Sequence, residues 1–184
     1  MATQQYPFSS RPHSALARSR AALLCSWGGA LIAFGVLFVP AAFSQLPTQL
    51  AAGVLGQGFA ALDQFGIALG VLCVALGAID RRMRGERGAA DLLRVALPLA
   101  AVFAHATSAV WVAPELRALR SAAGGAIGQL PAGAGELADF AWLHSLSRGL
   151  FAIAAGSAAL AGVWDLWQLD ARPALGPSPD AGTS

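Results

Sequence analysis

Five side chains able to carry charge, a proton or a hydrogen bond stand inside otherwise apolar stretches of the sequence: Asp63, His105, His144, Ser147 and Arg148. A carboxylate, two imidazoles, a hydroxyl and a guanidinium brought together could relay a proton, hold a small polar solute or simply neutralise one another. On a helical period Asp63 shares a stripe with Gly66, Gly70, Val74 and Gly77, and His105 shares one with Ala101, Ser108, Ala109 and Val112. His144, Ser147 and Arg148 line up with Phe151, Ala155, Ala158 and Gly162, opposite Leu146, Leu150, Ile153, Leu160 and Trp164. The polar, small-residue stripes are expected to face protein, with Gly66-x-x-x-Gly70 as a close helix contact.

These residues must be positioned by long apolar helices. Of the 184 residues 56% are hydrophobic and 12% charged, against about 45–50% and about 25% in ordinary soluble domains. The excess predicts burial in lipid. Residues 21–43, 57–79, 91–113 and 140–168 are each long enough to span a bilayer. Pro98 is expected to bend the third helix without ending it. The first 20 residues, polar with Arg11, Arg18 and Arg20, are read as a disordered basic arm, and residues 169–184 as a disordered tail. Residues 44–56, broken by Pro47 and Gly53, connect the first two helices, and a charged loop rich in Arg joins the second to the third. The arm, the apolar run and Ala42-Phe43-Ser44 have the order of a cleavable leader, but the run exceeds the usual ~7–15 residues.

The positive charge is all arginine, which fits a GC-rich bacterial genome. Nine arginines fall on one side of this arrangement (Arg11, Arg18, Arg20, Arg81, Arg82, Arg84, Arg87, Arg94, Arg172) and two on the other (Arg117, Arg120). The bias places both termini in the cytoplasm. Trp111 and Trp142 would mark the outer interface, Trp164 and Trp167 the inner one. The expected architecture is an all-α integral membrane protein, a four-transmembrane-helix bundle.

Counted from the outer ends, Asp63, His105, His144 and Arg148 lie roughly 6–12 Å deep. An uncompensated Arg near a helix centre costs about 2.5–3.5 kcal/mol, so Asp63 and Arg148 are expected to pair across helices two and four, with His105 and His144 beside them. Such a pair can also serve only to fix helix register.

Other chemistries find little support. His105 and His144 could give axial nitrogens to a b-type haem or, with Asp63, hold Zn or Cu, but they differ in depth and lack a fuller ligand set. Ser147 and His144 have no nucleophile elbow or oxyanion donor, and no H-E-x-x-H, phosphate-binding loop or dinucleotide fingerprint is present. Cys25 and Cys73 lie in apolar runs and read as small apolar side chains. A net charge of +2 gives no reason to expect nucleic acid as a partner.

Several segments resemble the transmembrane-protein-205-like family, whose bacterial members form an uncharacterised four-helix membrane domain, domain of unknown function 4149. They are Trp27-Gly28-Gly29, Phe34, Val39-Pro40-Ala41-Ala42-Phe43, Leu46-Pro47 and Ala52-Gly53 in the first part. Val112-Ala113-Pro114-Glu115-Leu116-Arg117 follows helix three, and Phe140-Ala141-Trp142-Leu143-His144-Ser145-Leu146-Ser147 opens helix four. Where the family's Asn follows that Ser by four positions, Phe151 stands here. The resemblance covers roughly residues 21–165 and implies architecture more than activity. Of its matched positions, Pro114 is expected to end helix three, Arg117 to face headgroups, and His144 with Ser147 to hydrogen-bond across helices.

The expected role is that of a non-enzymatic, cofactor-free multi-pass protein of the bacterial inner membrane: a structural or accessory component, or a small conduit for protons or a polar solute. The alternative is a redox carrier or a metal- or haem-binding protein using His105 and His144. Lipid is the first partner, and the Gly-rich faces could admit a second copy or another membrane protein.

Overall fold

The computed structural model describes residues 11–84, 88–125, 127–131 and 133–170. The expected arm over residues 1–10, the centre of the charged loop at 85–87 and the tail from residue 171 lie outside the described residues. Among the described residues the chain is 93% helical, with no strand.

Four helical spans are long and apolar enough to cross a membrane: Ala15–Gln45, Thr48–Met83, Asp91–Ala122 and Gly135–Leu169. The first consists of α1 (Arg11–Ala33), a π-helical turn at Phe34–Phe38 and α2 (Val39–Gln45). The second is α3 (Thr48–Arg84). The third joins α4 (Ala89–Thr107), a second π turn at Ser108–Val112 and α5 (Ala113–Ala122); the fourth is α6 (Gly135–Asp170).

The helices outrun the apolar stretches that predict them. Helix α1 starts at Arg11, so residues 11–20, expected in the disordered arm, are helical. Ala, Leu, Arg and Gln at these flanks are good helix formers, and nothing there breaks the hydrogen-bond ladder. Between the first two spans only Leu46 and Pro47 leave the helix. Leu46 is extended, with φ −120° and ψ 150°, as a residue preceding proline prefers. Gly53, expected to break the connection, sits inside α3.

Nor does Pro114 end the third span. It stands two residues past a π turn, as Pro40 does in the first span. In each case the residue before the proline donates its backbone N–H five residues back, Val39 to Phe34 and Ala113 to Ser108. A proline in a helix lacks a donor and crowds the carbonyl four residues earlier. The wider turn accommodates both effects, and the helix runs on.

The spans form a ring in chain order, with the fourth closing against the first. Every neighbour is antiparallel, as short connections require. The contact between α1 and α6 is the most extensive, and glycine makes it close. A Cβ at Gly28 would lie 2.7 Å from the Ala159 nitrogen, and one at Gly162 would lie 2.9 Å from the Cys25 nitrogen. Leu24, Trp27, Leu31, Ala104, Ala158 and Ala161 fill the interior beside them. Large apolar side chains such as Val36, Phe65, Phe103 and Val110 point outward. Small residues inside and large ones outside is the membrane pattern, because lipid tails remove the hydrophobic drive between helices and close packing replaces it.

Candidate functional site

Two groups of buried polar side chains lie in the bundle, one toward each end. The first is built on the stripe of α3 that carries Asp63, Gly66 and Gly70, all buried. Asp63 Oδ1 lies 2.8 Å from His105 Nδ1, and Ser108 Oγ donates to Asp63 Oδ2 at 2.7 Å. Ser108 opens the π turn of the third span, and its own N–H is shared between the carbonyls of Ala104 and His105. The His105 ring stacks with Trp27 at 5.7 Å between centroids. It also lies against the Gly66 backbone, where an added Cβ would come within 2.6 Å of its Cδ2. Asp63 and His105 are 6% and 2% exposed, so the carboxylate and the imidazole depend on each other and on Ser108 for polar contact. His105 Nε2 and Trp27 Nε1 are buried with no hydrogen-bond partner.

Beside this triad lies a cavity of about 10 Å³ lined by Phe59, Asp63, His105, Ser108, Ser147 and Phe151, among others. That is room for about one water molecule. The edge-on contacts Phe34–Phe59 and Phe59–Phe151, at 5.0 and 5.3 Å, bound it on the side of the first span.

The second group joins all four spans. Arg20 of α1, Asp80 of α3, Arg94 of α4 and Asp165 of α6 are each at most 5% exposed. Arg20 Nη1 lies 2.8 Å from Asp165 Oδ2, Arg94 Nε donates to Asp165 Oδ1 at 3.0 Å, and Arg94 Nη1 lies 3.2 Å from Asp80 Oδ2. Two guanidiniums and two carboxylates balance in charge. Arg20 also donates through Nε to the Cys73 carbonyl at 3.0 Å and through Nη2 to the Arg94 carbonyl. The second of these bonds has a local cause. The N–H that would normally bond the Arg94 carbonyl belongs to position 98, which is proline and has no donor. Arg20 supplies it from another helix. Gly77 makes room for the guanidinium, since a Cβ there would lie 3.1 Å from Arg20 Cζ.

The remaining candidates part company with Asp63. Ser147 lines the cavity, but His144 and Arg148 are exposed on the outside of α6. The expected Asp63–Arg148 pair does not form, because His105 and Ser108 hold both carboxylate oxygens. The reason lies in the packing of α6. Toward its C-terminal half α6 buries Ala154, Ala155, Ala158, Ala161, Gly162 and Asp165, whereas near its start Leu143 is buried and His144 and Arg148 are exposed. His144 shares a 3.6-residue stripe with the buried Ala155, Ala158 and Gly162, but the inward face of α6 is narrower at its start and leaves His144 outside. His144 stacks instead on Phe140, at 5.9 Å, so the two histidines expected as haem ligands open on different surroundings.

The second group is absent from the candidates read in the sequence. Arg20 falls in the expected arm, Asp80 in the expected loop, and Arg94 and Asp165 near helix ends. A usable signal exists: two Arg and two Asp at matching depth at one end of four helices, with Arg94 placed four residues before Pro98.

The profile of a family described as a domain of unknown function, DUF4149, matches residues 22–124. The chain belongs to the DUF4149 family. No curated protein and no solved structure matches the chain. The DUF4149 region holds Asp63, His105, Ser108, Asp80 and Arg94, whereas Arg20, Asp165 and Ser147 lie beyond its limits. The Asp63 triad of this DUF4149 protein therefore lies within the matched segment, whereas the second group is completed by Arg20 and Asp165 outside it.

Proposed function

We propose that this DUF4149 protein is a non-enzymatic structural or accessory component of the bacterial inner membrane, multi-pass, with both termini in the cytoplasm. The observation that carries the reading is the use of the buried charges. Arg20, Asp63, Asp80, Arg94, His105 and Asp165 each bond to a neighbouring helix. Together they act as fasteners, and the cavity beside them has room for about one water molecule. The orientation rests on arginine placement: Arg18, Arg20, Arg81, Arg82 and Arg94 lie toward one end of the spans, Arg117 and Arg120 toward the other. The transmembrane-protein-205-like resemblance, which extends past the matched segment into α6, belongs to the same reading.

A second reading is favoured by the Asp63–His105–Ser108 triad and its water-sized cavity, which fit proton transfer better than solute transport. Proteoliposomes loaded with a pH-sensitive dye separate the two. Under the structural reading, wild type and Asp63→Asn show the same dye response to an imposed pH step, while Asp63→Asn melts at a lower temperature. A response present in wild type and lost in Asp63→Asn would replace it with the proton reading.

A further inference from the structure

We infer that Arg120, His144 and Arg148 form a site for the phosphate of a phospholipid headgroup, where the end of the third span meets the start of the fourth. The inference goes beyond the structural reading and uses none of the residues that fasten the bundle.

Arg120 Cζ lies 5.8 Å from the centroid of the Phe140 ring. Phe140 in turn stacks on His144 with 5.9 Å between centroids and 5° between planes. Arg148 follows His144 by one helical turn on the same face. Arg120 and His144 thus meet on the two sides of one aromatic contact, with Arg148 one turn further along the same helix face. His144 and Arg148 are exposed and Arg120 is half-buried. Among the described residues, neither arginine forms an ion pair with a carboxylate of this chain. Glu136 and Asp139 stand nearer the start of α6 and pair with neither.

The ligand class follows from the donors and from their level. Arginine presents a planar fork of N–H donors that matches phosphate oxygens. Phe140 and His144 flank Trp142, whose ring contacts Trp111 at 6.2 Å, and paired tryptophans at helix ends mark the membrane interface. Arg148 is about 9 Å further along the axis than Trp142. Helical side chains lean toward the N-terminus, so its long stem can carry the charge back to headgroup level. A second copy meeting this face symmetrically would bring like charges together.

The test is native mass spectrometry of the full-length protein in detergent, with added phosphatidylglycerol or a phosphate-free glycolipid of the same chains. Wild type is expected to retain phosphatidylglycerol and not the glycolipid. The Arg120→Gln/Arg148→Gln double variant should need about tenfold more lipid or greater, as loss of charge-assisted hydrogen bonds implies. The Arg120→Lys/Arg148→Lys variant should fall between them, with unchanged helical circular dichroism throughout. Equal retention by wild type and the Gln variant, or equal retention of the glycolipid, overturns the site. Displacement of the lipid by millimolar inorganic phosphate would assign the site to a soluble anion instead. An Arg148-dependent dimer without lipid would assign the face to a second copy.

Discussion

The two ends of the bundle handle buried polarity in opposite ways. At the Arg-rich end two guanidiniums and two carboxylates, one from each span, close on one another and on two backbone carbonyls. At the other end Asp63, His105 and Ser108 tie only the second span to the third, next to a cavity, and both π turns of the bundle lie in this half. A network that reaches every helix is broken when any one of them moves away, so it ties all four together, whereas the triad ties only two. Buried charge in this fold closes the ring of helices, and the water-sized cavity lies at the end where the polar contacts join only two spans. π turns often mark functional positions in helices, and here one of them sets Ser108 against Asp63.

That contrast can be tested from its largest expected consequence downward. Asp165→Ala leaves Arg20 and Arg94 buried without their shared carboxylate and should destabilise the protein by about 3–5 kcal/mol, read as thermal unfolding in detergent. A loss under about 1 kcal/mol would mean that water enters the Arg-rich end, and the contrast would fail. Gly66→Ala drives a methyl into the His105 ring and should cost about 1–3 kcal/mol, with Trp27 fluorescence changed because its stacking partner moves. Asp63→Ala removes two interhelical hydrogen bonds, and such bonds in membranes average about 0.6 kcal/mol each. Its loss should be about 1 kcal/mol, clearly below that of Asp165→Ala.

Smaller effects probe the wiring. If Arg20 stands in for the N–H missing at Pro98, then Arg20→Gln should cost about 0.5–1 kcal/mol less in a Pro98→Ala background than alone. Strict additivity would show that the proline and the arginine are independent. Asp63→Asn and Arg148→Gln should show coupling near zero, within about 0.5 kcal/mol in a double-mutant cycle, since the two side chains face different surroundings.

Much of the architecture is legible in the sequence, and the reason is specific. Each span is a predominantly apolar run flanked by charge or proline, and lipid requires the backbone groups of such a run to bond within their own helix. The stripes of α3 and α4 are legible too. Asp63, Gly66, Gly70 and Gly77 are buried, as are Ala101, His105 and Val112, because small residues and one ionisable side chain on each stripe leave a single face able to pack closely. The helix ends were less legible. Arg20 and Asp80 look like solvated charges next to apolar runs, and only the continuation of α1 and α3 past those runs brings them inside.

From the sequence alone came four spans, their alternation, their small-residue faces and the need for some partner at each intramembrane charge. Which charge meets which was decided by the tertiary structure. Partner choice depends on the rotation of each helix and on its level beside its neighbours. On α6 one stripe carries exposed His144 near the start and buried Ala155, Ala158 and Gly162 further on, so burial follows the level at which a neighbouring helix packs and not the stripe alone. For that reason Asp63 finds His105 and Ser108 instead of Arg148. Arg20, which reads as part of the basic arm, reaches the carbonyl that Pro98 leaves without a donor.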